Sequence, residues 1–204
     1  MDFILTEPEV RVLASLVEKE ATTPDNYPLS LNSLVNACNQ KTNREPVVSY
    51  DADEVHDALM SLKHKGLALV CEGRDARVLK YDNYMADKLE LTAGEAAVLC
   101  VLMLRGAQTA GELRLRTERI YAFSELSQVE DVLESLISRE HPLAAKQPLS
   151  PGRKENRYIH LLGERSEEDA AAVVESSLRE RIESLESQVE ELKQEFAKFK
   201  QQFE

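Results

Sequence analysis

Tryptophan is absent, and aromatic residues make up only 5% of the 204 positions. Aromatic platforms that stack single-stranded nucleic acid are therefore not expected. Positive charge is scarce too: 25 Lys and Arg face 37 Asp and Glu, a net charge of -12. Such a surplus excludes a protein that coats nucleic acid by bulk charge. The three cysteines, Cys38, Cys71 and Cys100, are odd in number, lack CxxC spacing and sit among apolar neighbours. They read as reduced, mostly buried thiols of a cytoplasmic protein. The longest apolar run, Ala96 to Leu104, is nine residues, whereas a membrane span needs about 20. The start Met1-Asp2-Phe3 has no basic stretch before an apolar run, so no signal peptide is expected. Phosphate-binding glycine loops, a GxSxG elbow and an HExxH helix are all missing. No enzyme, cofactor or metal is expected. Asp53, His56 and Asp57 share a helix face and could hold a metal weakly, but a solvated polar face opposite Val55 and Leu59 is the favoured account.

What is present is 43% hydrophobic and 30% charged residues, a soluble globular composition, and an internal repeat. Leu5–Leu13 (LTEPEVRVL) aligns with Leu91–Leu99 (LTAGEAAVL) at an offset of 86, and Val55–Leu62 aligns with Val129–Leu136 at an offset of 74. The first copy therefore carries about 12 extra residues between its first and third helices. Capping boxes are expected at Thr6/Glu9, Thr92/Glu95, Asp51/Glu54, Thr109/Glu112 and Ser127/Glu130. Behind them run apolar stripes: Val10, Leu13 and Val17; Ala96, Leu99 and Met103; Val55, Ala58, Leu59 and Leu62; Val129, Val132, Leu133 and Leu136. A second helix carries Leu31, Leu34, Val35 and Cys38 in the first copy, and runs through Leu113 towards Ile120 in the second. Leu67–Val70 with Val78–Tyr81, and Leu143–Lys146 with Arg157–Leu161, read as β-hairpins.

Three helices followed by a hairpin is the order of a winged helix. The expected fold is mainly α with small β-hairpins (α+β). It comprises tandem winged helix-turn-helix domains at 1–88 and 89–165, then a linker and C-terminal coiled-coil helix at 166–204. Thr22–Ser30 (TTPDNYPLS), Ala37–Pro46 (ACNQKTNREP), Leu104–Arg114 (LRGAQTAGELR) and Arg153–Tyr158 (RKENRY) resemble the YceH-like bacterial proteins. That resemblance, which runs from about Leu5 to Leu162, implies a tandem pair of winged helices and no settled activity.

Two regions stand out as candidate nucleic-acid contacts. Asn36 to Arg44 concentrates amide, hydroxyl and cationic groups, among them Asn39, Lys41, Asn43 and Arg44, which could read base edges or grip phosphates. Satisfaction of backbone at a helix end and in the turn before Pro46 is the alternative. The second copy is the least acidic region, with 10 basic and 11 acidic side chains over 89–165. Arg105, Arg114, Arg116 and Arg119 lie on or beside its second helix, and Arg153, Lys154 and Arg157 on its hairpin. If hairpin and helix fold together they make one phosphate-binding patch, unless Glu112, Glu118 and Glu155 neutralise it in surface ion pairs.

The third helices carry acid instead: Asp51, Asp53, Glu54 and Asp57 in one copy, Glu130, Asp131, Glu134 and Glu140 in the other. In most winged-helix DNA binders this helix enters the major groove, where these carboxylates would be repelled. Two functions therefore stay open: a DNA-associated regulator working through phosphate contacts, and a protein-interaction adaptor.

The last region, 166–204, holds an unbroken alternation of four- and three-residue steps. Ile182, Val189, Phe196 and Phe203 take position a of a heptad, and Leu178, Leu185, Leu192 and Phe199 position d. This predicts a homodimer seam in a parallel coiled coil, with folding back onto the chain's own units as the alternative.

Overall fold

The computed structural model describes residues 3–71, 78–148 and 155–164, together with 182, 189, 190 and 193. It is a mixed α+β structure, about half helical, with two small antiparallel hairpins. Unit one contains α1 (Glu7–Thr22), α2 (Leu31–Cys38), α3 (Ala52–His64), β1 (Ala68–Cys71) and β2 (Lys80–Asn83). A short α4 (Met85–Lys88) leads to unit two: α5 (Ala93–Arg105), α6 (Ala110–Thr117), α7 (Leu126–Ser138), β3 (Ala144–Lys146) and β4 (Tyr158–His160). The extra length of unit one lies in a longer first helix and in the loops 23–30 and 39–51, against 106–109 and 118–125 in unit two.

Four of the five expected capping boxes close, at Thr6/Glu9, Asp51/Glu54, Thr92/Glu95 and Thr109/Glu112. The fifth does not. Helix α7 starts two residues early, at Leu126, and its N-cap Glu125 makes no side-chain cap bond. The Gln128 carboxamide instead accepts hydrogen bonds from the Ser124 backbone N–H (2.9 Å) and hydroxyl (3.0 Å), closing the first turn from a residue farther upstream. Helix α6 is also shorter than expected. It ends at Thr117, and the chain reaches Ile120 through a turn in which Thr117 O accepts from the Ile120 and Tyr121 amides. Helix α3 ends at His64, and the chain then turns at Gly66, whose φ of 72° is open to glycine without strain. The Leu67 amide then returns to Leu62 O at 2.9 Å, burying both leucines.

In each unit the residue just before the N-cap of the second helix joins the hairpin. Leu29 bridges Tyr81 of β2, and Gln108 bridges Tyr158 of β4. The chain start closes the molecule, since Leu5 pairs in parallel with Gly163 at the end of unit two.

The first helices depart from the expected single apolar stripe. Every residue of α1 from Glu9 to Glu18 is buried, as is α5 from Gly94 to Leu104 apart from half-buried Ala96. The cause is that α1 and α5 pack against each other as well as against their own units, so one apolar cluster runs through both. At the crossing the Cys100 thiol donates to Ala14 O at 3.3 Å. For α5 the burial follows from an apolar run that covers all sides of the helix. For α1 the second face is polar, and its Arg11, Ser15 and Glu18 are buried at the junction.

A matched ion pair ties the first helix of each unit to its third. Glu9 meets Lys65 at 2.6 Å, and Glu95 meets Arg139 at 3.0 Å. Burial raises both carboxyl pKa values. Hydrogen bonds outweigh it, from Lys65, Ser61 and Thr6 to Glu9 and from Thr92, Ser135 and Arg139 to Glu95, and hold both below the ordinary 4.5. A carboxyl depressed in the folded state stabilises fully above its unfolded pKa and loses that contribution as pH falls through the folded value. Thermal unfolding should therefore show stability falling below about pH 4.5. Glu95→Gln keeps a capping side chain yet loses the charge-assisted bonds, so it should cost about 1–3 kcal/mol at pH 7 and flatten the acid limb. An unchanged acid limb in that variant would contradict the assignment.

Candidate nucleic-acid interface

The segment 36–46 is stitched into the junction between the units. Helix α2 stops at Cys38, and the Asn39 carboxamide then behaves like a peptide group. It donates to Tyr50 O (2.7 Å) and accepts from the Tyr50 amide (2.8 Å). Asn43 sits at φ 60°, a left-handed conformation that Asn tolerates, and its side chain stays exposed. The Glu45 amide bonds to Leu104 O of α5 at 2.9 Å.

Two of the four candidates here are corrected. The Arg44 side chain is 0% exposed and makes a two-pronged pair with Glu18 at 2.6 and 3.1 Å. It also donates to Ala37 O, Asn43 O and the Gln40 side chain. Its donors face inward, so it is not available to an external phosphate, and Asn39 is committed to Tyr50 in the same way. Lys41 and Asn43 remain on the surface. The expectation missed Glu18, the partner that draws Arg44 inside. Its signal was the polar stripe Arg11, Ser15, Glu18 and Thr22 on α1, a spacing that ordinarily marks a solvated face.

In unit two the hairpin does fold beside the second helix, because the Gln108–Tyr158 bridge sets Arg157 against the start of α6. Glu112 is then bracketed by Arg157 at 3.1 Å and Arg116 at 3.4 Å. Its pKa is lowered by the Thr109 amide first and, against some burial, by the two arginines. Arg157 also donates to Ala107 O at 2.6 Å, and Arg116 to the Gln108 side chain. Exposed Arg114 donates to Ser124 O at 2.7 Å, and Arg119 is exposed. Arg153 and Lys154 lie outside the described residues.

The structure brings the two candidate regions together. A cleft of about 220 Å³ between the units is lined by Asn43 from unit one and by Arg105, Arg116 and Arg119 from unit two, with Leu104 and Leu115 among its apolar walls. Burial, then the neighbouring Arg116 and Arg44 charges, push the Arg105 guanidinium below its ordinary pKa. Three arginines line one concavity, where an entering anion would meet their guanidinium groups. Glu18 and Glu118 also line the cleft, but Glu18 is already held by Arg44.

The acidic third helices are turned outward. Asp53, Glu54 and Asp57 on α3 and Glu130, Asp131 and Glu134 on α7 are all exposed. His56 Nδ1 lies 3.8 Å from Asp57, and no group of three metal-ligating side chains occurs among the described residues. Cys38 and Cys100 are buried and Cys71 half-exposed; all three are free. Burial pushes the Cys38 thiol up to about 11 and raises Cys100 further. No described helix is long and apolar enough to cross a membrane. Of the proposed seam, Ile182 and Val189 are helical and exposed, while Leu178, Leu185, Leu192, Phe196, Phe199 and Phe203 lie outside the described residues.

Comparison with known proteins finds a match between residues 5–153 and the family model described as "Protein of unknown function, DUF480". A "UPF0502 protein" of Citrifermentans bemidjiense is 53% identical over 177 residues, covering 86% of this chain and 82% of the relative. Counterparts from Solibacter usitatus (51% over 191 residues) and Klebsiella pneumoniae (45% over 198) each cover 91% of both chains. On matches this extensive, and in agreement with the YceH-like motifs, the chain belongs to the DUF480/UPF0502 family of uncharacterised bacterial proteins.

Proposed function

We propose that this chain is a non-enzymatic tandem winged-helix protein that associates with DNA through phosphate contacts, and that it pairs with a second copy through its C-terminal apolar stripe. The winged-helix assignment draws on the order helix, bridging residue, helix, helix, hairpin, which occurs twice. The single observation that carries the function is the convergence of Arg105, Arg116, Arg119 and Asn43 from both units on one cleft. Arginine's planar fork suits phosphate oxygens, and exposed Lys41 and Arg114 would extend the contact. The high thiol pKa values of Cys38 and Cys100 make them poor nucleophiles, in keeping with a binding role.

Fluorescence anisotropy on a 20-base-pair duplex at several salt concentrations tests this. With Lys41, Arg105, Arg114 and Arg119 engaged, the log–log salt slope should be near −4, from roughly −0.9 per neutralised phosphate. Arg105→Ala with Arg119→Ala should reduce the slope by about two. Glu130→Gln with Glu134→Gln should leave binding unchanged or tighten it, because those carboxylates repel the duplex. No binding at low salt would transfer the assignment to protein docking. The exposed acidic faces of α3 and α7 favour that second function.

A further inference from the structure

We propose that the outer edge of β1 in unit one, which no described strand covers, takes up an extended, acidic peptide segment of another protein as an added strand. The hairpin edges differ in what covers them. Beyond β2 the chain itself supplies a partner: Leu29 and Tyr81 exchange both backbone hydrogen bonds, at 2.8 and 3.0 Å. Beyond β1 no strand is paired among the described residues.

The register tells which groups face that edge. The Tyr84 amide donates to Leu67 O at 2.8 Å, so Leu67 and Tyr84 form a hydrogen-bonded pair. Alternation along the antiparallel ladder then makes Leu69/Asp82 and Cys71/Lys80 bonded pairs as well. The N–H and C=O groups of Ala68 and Val70 are thus turned outward. The same alternation turns Tyr81 towards Leu29, where its bonds are found.

The surroundings suit an apolar and acidic visitor. An open groove of about 530 Å³ runs along β1, lined by Lys63, Gly66, Ala68, Leu69, Val70, Tyr84 and Lys88. Leu69 is 43% exposed, and Tyr84, which also lines the groove, is exposed too. In unit two, by contrast, Ala144 and Ala145 of β3 are buried. The chain carries a net charge of -12, yet the two charged side chains of this groove are both lysines. Lys88 passes over Gly66. Neither lysine is in an ion pair among the described residues, and both are exposed. Asp82 and Asp87 lie on neighbouring elements but do not line the groove.

Strand addition supplies affinity through main-chain bonds and specificity through alternate side-chain pockets. Two lysines lining the groove attract carboxylates and repel a second copy of the same surface, the kind of charge that keeps edge strands from pairing with themselves. The occupant favoured by charge is therefore an acidic segment of a different chain.

The probe is a labelled octapeptide alternating valine and glutamate, titrated into the full-length protein at low salt. Saturable binding is expected, with a valine–lysine octapeptide roughly tenfold weaker or worse. Lys63→Glu with Lys88→Glu, both surface changes, should weaken the valine–glutamate peptide by roughly tenfold and restore binding of the valine–lysine one. N-methylation of alternate peptide amides should abolish binding. Amide exchange at Ala68 and Val70 should slow on binding, while Ala144 and Lys146 are unaffected. The proposal is overturned by absence of saturable binding, by indifference to the charge reversal or to N-methylation, or by protection at β3 in place of β1. Self-association of the protein that is lost in Leu69→Lys would also overturn it, since the edge would then be occupied by a second copy.

Discussion

Arg44→Ala should lower the unfolding free energy by about 3–5 kcal/mol, because it strands a buried carboxylate without its partner. Glu18 is the carboxylate, and the Arg44 guanidinium that meets it also satisfies Ala37 O, Asn43 O and Gln40 at the junction of the units. In a chain of 204 residues that corresponds to a fall in melting temperature of roughly 6–20 °C. Calorimetry measures it directly. Lys41→Ala, three residues away on the surface, should stay within about 0.5 kcal/mol of the wild type. Replacing both partners, Glu18→Leu with Arg44→Met, should recover much of the loss, because an apolar pair leaves no buried charge unmatched. If Arg44→Ala melted like the wild type and changed only DNA affinity, Arg44 would be a surface contact and not a junction residue.

Separated into residues 1–88 and 89–165, the two halves should fail to unfold cooperatively, whereas the whole chain should show one transition. The reason lies in α1 and α5, which pack against each other as well as against their own units and are buried over Glu9–Glu18 and over most of α5. Cutting between them would bare Val98, Val101, Leu102 and their neighbours, all buried in the common cluster, to water. Circular dichroism melts and dye binding to exposed apolar surface test this. A sharp melt from either half alone would show that the helix crossing is dispensable. The same crossing can be probed in the intact chain. Ala14, with its carbonyl 3.3 Å from the Cys100 thiol, is 0% exposed, and Ala14→Leu should overpack it at a cost of about 1–3 kcal/mol.

Much of this architecture is local in origin, and so it is legible in the residues. A capping box needs only side chains three apart and the backbone between them, which is why four of the five form as written. The exception, Ser127/Glu130, lost to a competing closure by Ser124 and Gln128, a contest between neighbours that spacing alone does not resolve. The hairpins fell within one or two residues of their expected bounds, because short β-prone runs around a turn pair with each other first.

The candidate site was legible only in part. Lys41, Asn43, Arg114, Arg116, Arg119 and Arg157 carry the right chemistry, and a linear chain shows that. It does not show that Arg44 turns inward while Asn43 beside it turns out, since the choice depends on Glu18, 26 positions away in sequence. Nor does it show that Asn43 and Arg119, on different units, share a cleft.

By itself, the sequence determined the double repeat, the four helix starts whose capping boxes close, the apolar faces of α3 and α7, the acidic character of both third helices and the family. These follow from composition and from periodicities within a few turns of chain. The packing of α1 on α5, the burial of Arg11, Glu18 and Arg44, the assembly of the arginine cleft and the edge of β1 that no described strand covers were decided by tertiary structure. Each depends on which surfaces meet across the two units, and a buried charge is stable only where a distant partner arrives to balance it.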